Sequence, residues 1–175
     1  MTMADAVRYN AVARALHWTI ALLVIFNLGS GLLNEALEDT IRLIPLHKAV
    51  GLTIFALTLV RIGWRLTWTR PPYPASMSRA EVGAAQAVHG AFYILLLAMP
   101  LTGYVMASAG KYPLDWFGLF DVPKAAVVRD SAVYTLSRSG HGLLGWLFFG
   151  LAVLHVAAAL RHRFVLRDEV LRRML

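Results

Sequence analysis

A chain of 175 residues that is 58% hydrophobic and only 15% charged is too apolar for an ordinary soluble domain. The absence of cysteine excludes disulfides, and the net charge of +7 needs a location before it can suggest a partner.

Four segments have the length and composition to cross a bilayer, which takes about 20 apolar residues. The first runs from about Ala15 to Leu33. Arg8 and Arg14 precede it as in a secretory signal, but no small-residue cleavage pattern follows, so it reads as a retained helix. A short acidic connection, Asn34–Ile44, leads to the second helix at about Pro45 to Leu66, where Lys48 and Arg61 can snorkel to the interfaces. Arg70, Pro71, Pro72 and Pro74 then forbid an immediate restart. The third helix spans about Val82 to Ala107, with Pro100 expected to kink it. A long third loop, Ser108 to Arg138, carries Tyr112, Trp116, Phe117, Phe120 and Tyr134 and suits a cap lying against the interface. The fourth helix covers about Ser139 to Leu160, and the Arg-rich end beyond it reads as a stop-transfer signal touching anionic lipid. The expected fold is all-α: one integral membrane domain, residues 1–175, built as a four-helix bundle.

Charge sets its orientation. The N-terminus, second loop and C-terminus hold eleven of the seventeen basic residues against Asp5, Glu81, Asp168 and Glu169. The first and third loops hold six basic residues against six acidic ones, Glu38 among them. The positive-inside rule makes the first side cytoplasmic, N-in and C-in, with the long loop periplasmic. That distribution explains the positive charge without nucleic acid.

Six histidines carry the chemistry: His17, His47, His89, His141, His155 and His162. His162, just past the fourth helix, reads most simply as a hydrogen-bonded structural residue. His141 and His155 lie fourteen residues apart on one helix, nearly four turns, so both leave one face about 21 Å apart along the axis. Ionisable groups inside a membrane are costly and usually face a site. Helix direction pairs His47 with His141 near the outer surface and His17 with His155 near the cytoplasm. His89 lies at the inner level too, as a rival to His17, a residue behind the site, a partner for a cofactor's carboxylate, or part of a proton path.

Two nitrogens per level, without Cys or a nearby carboxylate, make a poor zinc or copper site. A haem brings its own four equatorial nitrogens and needs only two axial ligands; bis-histidine ligation suits electron transfer over oxygen activation. Covalent c-type attachment is excluded by the missing cysteines. Gly51 follows His47 by four and Gly145 follows His141 by four, each clearing room for a flat macrocycle or, alternatively, allowing close helix packing. Haem propionates need cationic or polar partners. Arg14, Arg61 and Arg65 are inner candidates; Lys48, Lys111, Arg138 and Ser139 are outer ones.

The chain resembles the bacterial cytochrome b561 family along essentially its whole length. The resemblance rests on R-A-L-H-W at Arg14–Trp18, L-H-K-A-V-G at Leu46–Gly51 and R-I-G-W-R at Arg61–Arg65. It continues through H-G-A-F-Y at His89–Tyr93, G-H-G at Gly140–Gly142 and L-H-V-A-A-A-L-R-H-R-F at Leu154–Phe164. It implies two b-type haems in the bacterial inner membrane, with axial ligands His17, His47, His141 and His155, and it disfavours His89 as a ligand. Some members are superoxide oxidases that pass an electron to ubiquinone. That role needs cationic steering, for which Lys111, Arg129 and Arg138 are candidates. The outer segments are nevertheless neutral overall, and the Gly118–Pro123 stretch could mark another branch. The expected function is therefore electron transfer between ubiquinone and a periplasmic partner or superoxide. The alternatives are a cytochrome b anchor subunit of a periplasmic-facing dehydrogenase or hydrogenase, and a haem-free structural or transport bundle.

Overall fold

The computed structural model describes residues 8–37 and 39–175; Asp5 and Glu38, used in the charge argument, lie outside them. Four long helices make up the bundle: α1 (Ala11–Leu37), α2 (Leu43–Leu66), α3 (Arg79–Ser108) and α4 (Ala132–Arg161). Each has the length and hydropathy to cross a membrane. Their outward faces are apolar: Leu22, Ile94, Leu143 and Leu154 are all 63% exposed or more, as lipid contact requires and water does not favour.

Local chemistry sets the helix starts. The Asn10 side chain accepts from Ala13 N at the head of α1. Ser78 and Glu81 form a reciprocal capping box on α3, and Ser131 accepts from Tyr134 N to start α4. The Ser131 cap is why α4 begins at Ala132 and not at Ser139. Hydropathy marks the last charged residue, Arg138, whereas a helix starts at its cap and projects out of the apolar slab. The third connection is correspondingly shorter, residues 109–131. It folds into a small antiparallel hairpin, β1 (Asp115–Trp116) and β2 (Phe120–Asp121), pairing Asp115 with Asp121 and Trp116 with Phe120. Pro100 lies within α3, which continues through it.

α1 packs on α2, α2 on α3 and α3 on α4, while α4 keeps a wider distance from α1 and α2. A core of Ile20, Val24, Val50, Ile54, Leu95, Leu96 and Phe148 joins all four helices at mid-height. After α4 a π-helical turn, His162–Leu166, reverses the chain, and a 3-10 turn, Arg172–Met174, returns it to α1, where Tyr9 N donates to Arg173 O at 3.1 Å. The bundle thus has a terminal end and, opposite it, a hairpin end bearing the α1–α2 and α3–α4 connections.

Candidate haem sites between the helices

The histidines lie in the wider gap beside α4. At the hairpin end His47 of α2 faces His141 of α4 with ring centres 6.2 Å apart and planes at 75°. At the terminal end His17 of α1 faces His155 of α4 at 6.4 Å and 74°. Two imidazoles coordinating one metal from opposite sides, with bonds of about 2.0 Å and ring centres about 1.1 Å behind each nitrogen, stand about 6.2 Å apart. Both pairs fit that spacing. Among the described residues no three His, Cys, Asp or Glu side chains converge, so a closed protein-only metal site is not formed.

The hairpin-end pair is oriented by hydrogen bonds. His47 Nδ1 lies 3.0 Å from the Asn27 carbonyl and 3.0 Å from Ser30 Oγ. A carbonyl only accepts, so Nδ1 carries the proton and Nε2 keeps its lone pair for a metal. Thr102 does the same for His141. Its hydroxyl donates to Ala98 O and Met99 O, leaving the oxygen to accept from His141 Nδ1 at 3.0 Å. Behind each ring stands a glycine of the neighbouring helix. A Cβ on Gly31 of α1 would meet His47 Cε1 at 3.1 Å, and one on Gly103 of α3 would meet His141 Cε1 at 3.1 Å.

A cavity of about 640 Å³ adjoins this pair, lined by His47, His141 and six glycines, among them Gly31, Gly51, Gly103 and Gly145. That is ample for a cofactor pocket. A Cβ on Gly51 would meet nothing nearer than Asn27 Nδ2 at 3.6 Å, and one on Gly145 only Met99 Cε at 3.8 Å. Close helix packing therefore does not demand glycine at either position, and both line the cavity in front of the rings. The terminal-end cavity is smaller, about 130 Å³, and is lined by His17, His155, Arg61, Phe92 and Tyr93. A macrocycle there requires its aliphatic lining to move outward. Val24, Leu96 and Phe148 line both cavities and form the partition between them.

Among the polar candidates, Lys48 lines the hairpin-end cavity and Arg61 the terminal-end one. Arg61 Nε lies 3.4 Å from Tyr93 OH, and the Arg65 guanidinium sits 5.8 Å above the Tyr93 ring. Arg14 turns away to the main-chain oxygen of Leu175, because the segment after α4 folds back over it. Lys111 borders the hairpin-end cavity without lining it. Arg138 and Ser139 stand exposed on α4, also outside its lining. Ser139 precedes His141 by two residues, which on a helix turns it to roughly the opposite face. Arg129 is exposed on the connection.

His89 packs on His155 with ring centres 5.7 Å apart, about half an ångström short of the axial spacing. It does not line the cavity between His17 and His155. His162 pairs with Asp168 at 2.6 Å in the chain reversal, a structural role. Gly31, Gly103, Asn27, Ser30, Thr102 and Tyr93 were not singled out by sequence. Only the recurrence of glycine at histidine depth on α1 and α3 hinted at two of them.

Comparison with known proteins bears on this arrangement. Cytochrome b561 homolog 2 of Escherichia coli is 34% identical over 173 residues, covering 96% of this chain and 91% of that protein. Probable superoxide oxidase CybB of Yersinia pestis is 30% identical over 172 residues, 96% of each chain. Cytochrome b562 of Cereibacter sphaeroides is 30% identical over 175 residues, 95% of this chain and 94% of that one. The family model for prokaryotic cytochrome b561 matches residues 8–175, the whole four-helix frame with all six histidines. A haem-binding membrane cytochrome accounts for that frame, and the chain belongs to the prokaryotic cytochrome b561 family.

Proposed function

We propose that the chain is a di-haem b-type cytochrome of the bacterial inner membrane. In this reading it moves electrons between the ubiquinone pool and a periplasmic redox partner, with superoxide as a candidate donor. One observation carries it: two cross-helix histidine pairs, each at axial-ligand spacing, one toward each end of a membrane-spanning bundle. A bound b haem supplies reversible one-electron storage on iron, and everything else is the work of the chain. Asn27, Ser30 and Thr102 hold His47 and His141 with Nε2 forward. Gly51 and Gly145 keep the space before those rings clear. Arg61, braced by Tyr93, offers positive charge to a carboxylate at the terminal end, and Lys48 does so at the hairpin end. Val24, Leu96 and Phe148 separate the two levels with packed hydrocarbon that excludes water.

The charge asymmetry supports placing the terminal end in the cytoplasm. The hairpin end would then face the periplasm, where Lys48, Lys111, Lys124 and Arg129 are available to attract an anion. The name of the Yersinia relative agrees with a superoxide role.

An optical redox titration of the purified protein tests the ligand assignment. His47→Ala and His141→Ala should each lose one low-spin haem, and His17→Ala and His155→Ala the other. His89→Ala should keep both. Loss of a haem in His89→Ala, with both retained in His17→Ala, would reassign the terminal-end site. Reduction of the isolated protein by superoxide and its reoxidation by ubiquinone would separate this function from that of a cytochrome b anchor for a larger periplasmic-facing enzyme.

A further inference from the structure

The terminal-end cavity is enclosed on every side but one. Toward mid-height, Val24, Leu96 and Phe148 pack above it as part of the buried core. Behind it α2 packs on α3, and Arg61 Nε of α2 lies 3.4 Å from the Tyr93 hydroxyl of α3. α3 packs on α4 in the same way. Toward the helix ends, the segment after α4 is tied across the bundle. Trp18 Nε1 donates to Met174 O at 2.7 Å, Tyr9 N to Arg173 O at 3.1 Å, and Arg173 Nη1 to Pro72 O at 2.6 Å.

The remaining side lies between α1 and α4, which lack the close packing of the other neighbouring pairs. Of the described residues that line the cavity, only Ile25 of α1 and Val156 of α4 are exposed, at 64% and 52%. Side chains that line a cavity and also face lipid mark its mouth. Between them in depth stand two half-buried residues of little bulk, Ala21 and Ala152. Ala21 lies four residues past His17 and Ala152 three before His155, about 6 and 4.5 Å toward mid-height, so they share one depth.

The mouth also accounts for size. At about 130 Å³ the cavity admits a macrocycle only if its lining moves outward. The core cannot yield without losing close packing. Ile25 and Val156 can, because their outer sides meet lipid, which is as apolar as they are and fills the space they leave. A haem is a flat apolar ring with two carboxylates at one edge, a shape that settles at the boundary of hydrocarbon and headgroups.

We propose that the terminal-end haem enters and leaves sideways, passing from the bilayer between α1 and α4 as Ile25 and Val156 swing aside. The route rests on the haem reading of the His17–His155 pair and adds to it a direction and two gating residues.

The cysteine-free chain allows the mouth to be bridged. Ala21→Cys and Ala152→Cys are combined in the holoprotein and joined by a short thiol-reactive linker with a cleavable centre. Excess apomyoglobin then collects whatever haem is released, and by microscopic reversibility exit reports on entry. Bridging should slow loss of the terminal-end haem, the spectral component missing from His155→Ala, about tenfold. Loss of the hairpin-end haem should keep its rate. Cutting the linker should restore the unbridged rate, and each single cysteine variant treated alike should release haem as wild type does. Equal rates with and without the bridge would overturn the lateral route. So would equal slowing of both haems, which would mean that the bridge merely stiffens the bundle. Should the double variant not accumulate, Ala152→Phe, which narrows the same mouth, decides: slower exit is expected, and exit at the wild-type rate or faster refutes the route. Protein purified without haem would overturn the underlying haem reading, a result distinct from equal rates in a protein that carries both.

Discussion

At the scale of single residues, the hairpin-end histidines are held by groups that stand behind their rings. Thr102 accepts from His141 Nδ1 because its own proton is engaged with Ala98 O and Met99 O. Thr102→Val keeps the shape and removes the acceptor. Outer-shell losses of this kind typically weaken a metal site about 10- to 100-fold. The expected outcome is selective weakening of one haem, read by haem retention and by a shift in one of two midpoint potentials. Gly31→Ala adds a Cβ 3.1 Å from His47 Cε1 and should disturb the same haem from the opposite helix. Equal effects on both haems would contradict the assignment of these residues to one level. The histidine levels were legible in the sequence because helix rise converts residue number into depth. Thr102, Gly31 and Gly103 were not, since their role depends on how each helix is rotated against its neighbour. Arg14 illustrates another blind spot: depth placed it near His17, but the returning chain end took its guanidinium.

At the scale of elements, hydropathy found all four helices and missed where α4 begins. Its first two turns are too polar to register as a span, and Ser131 starts them regardless. The aromatic residues of the third connection also gained a specific use. Trp116 stacks on Phe120, with ring centres 5.2 Å apart, and its Nε1 donates to Thr53 Oγ1 of α2 at 3.1 Å. Leu114 is buried beneath, and with Tyr112 it lines the hairpin-end cavity. The connection therefore supplies one wall of that cavity. Trp116→Phe preserves the stacking and loses the bond, worth about 1 kcal/mol, which corresponds to about fivefold easier opening. Stopped-flow reduction by a small water-soluble reductant should then accelerate severalfold at the hairpin-end haem and stay constant at the other.

At the scale of the whole molecule, the charge distribution sets an expected sidedness, and the cysteine-free chain offers a clean way to test it. Leu119 is 71% exposed at the hairpin tip, and Arg163 is exposed in the chain reversal at the opposite end. With Leu119→Cys and Arg163→Cys made separately, an impermeant maleimide applied to spheroplasts should label only the first. Permeabilised cells should label both. Labelling of Arg163→Cys alone in intact spheroplasts would invert the bundle.

The wide spacing of α4 from α1 and α2 has a consequence for assembly. The sides of that gap meet at the mid-height core and across the two histidine pairs, each standing at the spacing that admits a metal between its rings. The cofactor is then mortar as well as cargo. A ligand that binds only the closed bundle stabilises it by mass action, so haem supply would govern how tightly the last helix is held. The same slot that makes the protein an electron carrier would make its completion a sensor of haem.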